Sequence, residues 1–177
     1  MAGPYTDIRV LDFSRDMAGR YATMMMADMG AEVIRVESPD IVSKESTQSN
    51  RLFDRGKKSI FLDLSTPDGI ANLTNLLKSA DMLFETWLVS EAKSAFLDYE
   101  TVSKINPFLI YCSIPPYGDT GPMAETPGDD GTVGAFTGIH EGQGGETGTP
   151  LFVRLPLVSY GTAFSICLAG SSALLER

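Results

Sequence analysis

The residues able to do chemistry are few and unevenly placed. His140 is the only histidine, so a histidine-based proton relay or a His-rich metal site has little material. Asp129 and Asp130 are adjacent in Pro-Gly-Asp-Asp-Gly and could bind a cation, although carboxylates in such a run commonly form turns. Cys112 and Cys167 lie in apolar stretches and read as buried free thiols rather than a bridge. Five cations gather at two places. Arg15 and Arg20 flank the start of the first predicted helix; Arg55, Lys57 and Lys58 precede a later strand. Backbone N–H groups at a helix start favour anions, so these cations could hold a phosphate-bearing tail. Solvated charges at strand ends explain them equally well. Gly142–Gly148 (GQGGETG) reads as a turn or loop. No G-x-G-x-x-G follows the first strand and no Walker A sequence occurs, so both phosphate fingerprints are missing.

Positioning these groups requires an α/β scaffold, and residues 8–37 supply its first unit. Ile8, Val10 and Leu11 make a short apolar run ending at Asp12 and Ser14. Tyr21, Met24, Met25 and Met29 then recur at helical spacing, with Gly30 as the stop. Val33, Ile34 and Val36 form a second β-branched strand, and two strands around one helix imply a right-handed crossover. A polar loop covers 38–55. Strand patterns return at 59–64, 81–85 and 108–114. A helix capped by Ser65 or Thr66 carries the stripe Ile70, Leu73, Leu76 and Leu77, and a shorter one covers 99–105. Pro115-Pro116 breaks regular structure, 132–137 is a short helix, and 158–175 is an apolar helix with small residues where packing is close. Alternating strands and helices predict a parallel sheet covered on both faces.

The totals bound the function. At 177 residues the chain fits one domain, or one and a fraction, and its net charge of −9 argues against a nucleic-acid partner. MAGPYTD has neither the basic nor the apolar region of a signal peptide. No uninterrupted apolar run reaches the roughly 18–20 residues of a membrane span. The expectation is a cytoplasmic protein with no membrane partner.

The order of the blocks resembles the class III CoA-transferase family, which includes formyl-CoA transferase, carnitine CoA-transferase and α-methylacyl-CoA racemase. VLDFSRDMAGRYATMMMADMGAEVIRVE is similar to the family's opening block, with Arg20 where a proline is usual. RGKKSIFLDLSTPDG, ADMLFETW, LDYETVSKINPFLIYCSI, GDTGP, PGDDGTVGAFTG and PLVSYGTAFSICLAGSSALLER follow in family order, covering residues 7–177. The resemblance implies an α/β fold: a Rossmann-like parallel sheet with helices on both faces, in a dimer whose chains interlock. Residues 1–177 would be the N-terminal part of the large domain, without the small domain and the returning C-terminal segment, since family members are roughly twice as long. Coenzyme A or acyl-CoA would be the substrate and no metal would be needed. Positions matching CoA contacts are Arg15, Asp16, Met17, Ala18, Leu62, Thr86 and Trp87.

In catalytic family members an aspartate attacks the thioester and forms a mixed anhydride. That position is Ser159 here, and Asp130 matches a neighbouring acidic position. An anhydride is as activated as the thioester it replaces, whereas a seryl ester is too stable to pass its acyl group on easily. Thr86 stands for the family's asparagine, Leu88-Val89-Ser90 for its Arg/Gly-Pro-Gly turn, and Ser65 for a lysine that holds the nucleotide in some members. The expectation is therefore a non-catalytic subunit paired with a homologous catalytic one, as in benzylsuccinate CoA-transferases. The alternatives are a class III enzyme in its own right, a racemase- or lyase-like member using Asp130 and His140, and a truncated structural fragment.

Overall fold

The computed structural model describes residues 3–38 and 52–177. Most of the long loop expected at 38–55 falls at 39–51, outside the described residues. The elements in chain order are β1 (Arg9–Phe13), α1 (Met17–Asp28), β2 (Glu32–Glu37), β3 (Lys58–Phe61), α2 (Pro67–Ser79), β4 (Met82–Glu85), α3 (Val89–Ser94), α4 (Tyr99–Ile105), β5 (Ile110–Ser113), α5 (Asp130–Phe136), α6 (Ile139–Gln143), a 3-10 turn (Gly145–Thr147) and α7 (Leu157–Glu176). The strands form one sheet in the order β3-β2-β1-β4-β5, every pairing parallel. The expected doubly covered parallel sheet is the fold observed.

Side chains of β1 and β4 alternate between two cores, as a strand's period of two requires. Val10, Met82 and Phe84 face α1 and α7, where they meet Ala22, Met26, Ala163 and Cys167. Leu11, Phe13 and Leu83 face the opposite layer and pack with Leu73 and Leu77 of α2, Leu97 and Val102. Gly170 lets α7 lie close on the sheet, because a Cβ there would stand 2.5 Å from Met82 Cε. Thr66 caps α2 by accepting from the Gly69 amide at 3.1 Å, with Pro67 opening the helix.

Three local expectations change. The helix expected at 132–137 starts two residues earlier because the Asp129 carboxylate accepts from the Thr132 amide at 2.8 Å and so caps at Asp129. The Gly142–Gly148 stretch, read as a turn or loop, holds the end of α6 and the 3-10 turn. Helix α3 was missed: six residues give too short a window for a 3.6-residue period to register. Helix α7 is 20 residues long with mean hydropathy 1.4, enough by length and composition alone to cross a bilayer. Ala163, Cys167 and Gly170 seat one of its faces against the sheet and α1.

Candidate functional site

Strand order reverses between β1 and β4, since β1 connects through α1 to one side and β4 continues to the other. A crevice opens at the carboxyl ends of strands at such a switch point. The turn after β1 forms its floor. Asp16 caps α1, accepting from the Gly19 amide at 3.2 Å, and the Arg15 amide donates to Thr86 Oγ1 at 2.9 Å. Gly19 is required here, because a Cβ would lie 2.1 Å from Ser14 Oγ and 2.8 Å from Thr86 Cγ2. Just after β4, the Trp87 indole donates to the Phe13 carbonyl at 2.7 Å. The Arg15 guanidinium lies 3.6 Å above the Trp87 ring and 2.7 Å from Glu91.

This turn separates two cavities. The larger, about 510 Å³, is bordered by Arg15, Ser38, Asp63, Ser65, Trp87 and Glu91 among others. The smaller, about 380 Å³, is bordered by Asp16, Met17, Ala18, Pro116, Asp129, Asp130 and Ser159. Both volumes lie in the range of small-molecule sites. In the smaller cavity the Asp130 carboxylate sits over the start of α7, accepting from the Val158 amide at 2.9 Å, the Ser159 amide at 3.2 Å and the Ser159 hydroxyl. Asp16 reaches solvent, yet the protein packed around its carboxyl raises its pKa to about 6 by desolvation, against the bonds from the Gly19 and Ala18 amides.

The residues singled out in the sequence divide accordingly. Arg15 and Trp87 border the larger cavity, while Asp16, Met17, Ala18, Asp130 and Ser159 border the smaller. Thr86 is buried behind the turn, holding the Arg15 amide. Leu62 borders neither; its side chain is 4 % exposed in the core with Val36 and Leu73. Asp63 and Glu91, which border the larger cavity, were not singled out in the sequence. Their signal was position, since each follows or faces the carboxyl end of a strand.

The structure engages the cations and the histidine locally. The five cations do not form a phosphate clamp. Lys57 Nζ is buried against Asp12 Oδ2 at 2.8 Å, Arg20 pairs with Asp54 at 2.5 Å, and Lys58 with Glu32 at 2.5 Å. Arg55 pairs with Asp28, and Arg15 with Glu91. Burial alone would raise the Asp12 carboxyl; Lys57 and Arg35 outweigh it and hold its pKa at about 2. His140 stacks edge-on against Phe152, ring centroids 5.3 Å apart, and borders a recess of about 10 Å³. That volume admits one water at most. Both cysteines are free. Among the described residues, no three His, Cys, Asp or Glu side chains are grouped to hold a metal ion.

The profile of CoA-transferase family III matches residues 5–177, nearly the whole chain. The chain belongs to CoA-transferase family III. It is 34 % identical over 185 residues to a mouse succinyl-CoA:glutarate CoA-transferase, covering 98 % of this chain and 42 % of that protein. Identity to the succinate–glutarate CoA-transferase of Agrobacterium fabrum is also 34 %, covering 98 % and 47 % of the two chains. Among solved structures, the Mycobacterium tuberculosis protein Rv3272 superposes with a TM-score of 0.90 at 32 % identity, covering 100 % of this chain and 52 % of that one. A CAIB/BAIF family protein from Brucella suis gives 0.90 at 30 % identity, covering 100 % and 50 %. The chain thus spans about half the length of the family members it matches.

Proposed function

We propose that the chain is part of a class III CoA-transferase that moves CoA between a thioester and a carboxylic acid, and that this subunit is the non-catalytic one of a heteromer. The observation that carries the second half is the Ser159–Asp130 pair. Ser159 occupies the position that the family resemblance assigns to the aspartate nucleophile. Its hydroxyl donates to Asp130 Oδ2, while the Val158 and Ser159 amides near the start of α7 both donate to Asp130 Oδ1. Nucleophilic attack by Ser159 would need a base able to take its proton and a way to cleave the resulting ester. His140, the only histidine, faces Phe152 instead. The same placement weighs against the racemase- or lyase-like alternative.

On this reading the larger cavity receives the nucleotide end of CoA, the Arg15–Ala18 turn lies along the pantetheine arm, and the smaller cavity faces the thioester. Two cavities of suitable size meeting at the turn support that path. The sheet would be the N-terminal part of the family's large domain. The partner would be a homologous catalytic subunit or a second copy in an interlocked dimer, in a cytoplasmic assembly. Exposed apolar side chains support a partner: Phe164, Leu168 and Leu175 on α7, and Phe152 and Leu155 before it. The test is purification of the native assembly with mass identification of its chains, then acyl-CoA exchange assays on each component. A homologous partner with an aspartate at the Ser159 position, and exchange that requires it, is expected. Robust exchange by the Ser159 chain alone would refute the non-catalytic role. Ser159→Asp should introduce exchange if the CoA path is intact.

A further inference from the structure

The larger cavity has the size of a nucleotide site and, among the described residues, the wrong charge for a phosphate. Arg15 is its one bordering cation among the described residues. That guanidinium is already engaged by Glu91 at 2.7 Å and by the Trp87 ring. Asp63 adds a second carboxylate, kept charged because the Ser65 hydroxyl and amide donate to its Oδ1 at 2.5 and 3.0 Å. Among the described residues the bordering formal charge is therefore one positive against two negative. Among the described residues, Lys57, Arg55, Arg20 and Lys58 are committed to Asp12, Asp28, Asp54 and Glu32.

The cavity offers hydroxyl chemistry instead. Ser38 is 5 % exposed and its Oγ has no hydrogen-bond partner, a buried polar group that a bound hydroxyl or ring nitrogen would satisfy. Asp63 Oδ2 remains to accept from a ligand hydroxyl, the role an acidic residue plays toward ribose in dinucleotide folds. A ribose 3′-phosphate would instead bring nearly two more negative charges beside Asp63 and Glu91.

We propose that this cavity binds an adenosine group whose ribose 3′-hydroxyl is free, so that this subunit prefers dephospho-CoA to CoA. The proposal rests on the reading of the cavity as the nucleotide end of a CoA path. Isothermal titration of the full-length protein with CoA and with dephospho-CoA tests both, since the two ligands differ only in the 3′-phosphate. At low salt dephospho-CoA should bind about tenfold more tightly, and the gap should narrow as salt screens the repulsion. Ser65→Lys, at an exposed position on the rim, should tighten CoA by about tenfold and leave dephospho-CoA nearly unchanged. Equal or tighter binding of CoA by the unaltered protein overturns the preference while leaving the CoA path standing. Binding of neither ligand overturns the path itself, and the preference with it.

Discussion

Replacing Lys57 by methionine probes the buried charge network under α1 and the reason the cations are unavailable to a ligand. Lys57 is 1 % exposed at its side chain and donates to Asp12 Oδ2 at 2.8 Å, Thr23 Oγ1 at 2.8 Å and the Arg20 carbonyl at 2.9 Å. Asp12, fully buried, keeps only Arg35 at 3.5 Å as a charged partner when Lys57 is gone. An aspartate held at about 2 instead of 3.8 contributes about 2.5 kcal/mol at neutral pH. The folded pKa is depressed, so this stability is full well above pH 4 and drains as pH falls toward 2. Loss of the pair should cost about 3 kcal/mol at pH 7, because Asp12 stays buried with half its compensation. About 1 kcal/mol of the difference from the parent should have vanished at pH 3. Urea unfolding followed through Trp87, the single tryptophan, reads both values as changes in midpoint at constant slope. A cost below about 1 kcal/mol at pH 7, or simple addition of the Lys57→Met and Asp12→Asn effects, would refute the pairing argument.

Other expectations concern the turn and the smaller cavity. Gly19→Ala drives a methyl into Ser14 and Thr86 and should cost at least about 2 kcal/mol by thermal or urea melting, whereas a change under 0.5 would show that the turn yields. Asp130→Ala removes the acceptor of three donors at the start of α7 and should cost about 1–2 kcal/mol, with Ser159→Ala costing less in the same assay. The Asp16 carboxyl should titrate near 6 by carbon-detected NMR. Its pKa is raised, so folding favours the protonated form and stability should decline as pH rises from about 4 through 6. Asp16→Asn should flatten that decline, and an ordinary midpoint near 4 would contradict the desolvation argument.

Much of the scaffold was legible because it depends on short-range patterns. The short apolar runs at 10–13 and 82–85 mark buried strands, the stripe on α2 reports its buried face and the Thr66–Pro67 pair marks its start; each is a property of a few consecutive residues. The missed α3 and the Gly142–Gly148 stretch lack such a pattern: α3 is one and a half turns long, and α6 has no buried residue. The candidate site was half legible. Block order placed Arg15–Ala18, Trp87, Asp130 and Ser159 at the sheet edge, but put Leu62 there too, whose side chain turns into the core. Asp63 and Glu91 carried no motif, and they decide the sign of the larger cavity.

By itself the sequence determined the α/β alternation, the family, and the presence of serine where the family resemblance expects the aspartate nucleophile. Only the tertiary structure decided how the charges are spent. Lys57 and Asp12 are 45 residues apart, Arg15 and Glu91 are 76 apart, and Ser159 and Asp130 are 29 apart. Hydrophobic periodicity is written locally, since each residue's burial follows from its own helix or strand. Charge pairing is settled by which elements the folded sheet brings side by side, and desolvation leaves a buried cation little choice but the nearest carboxylate.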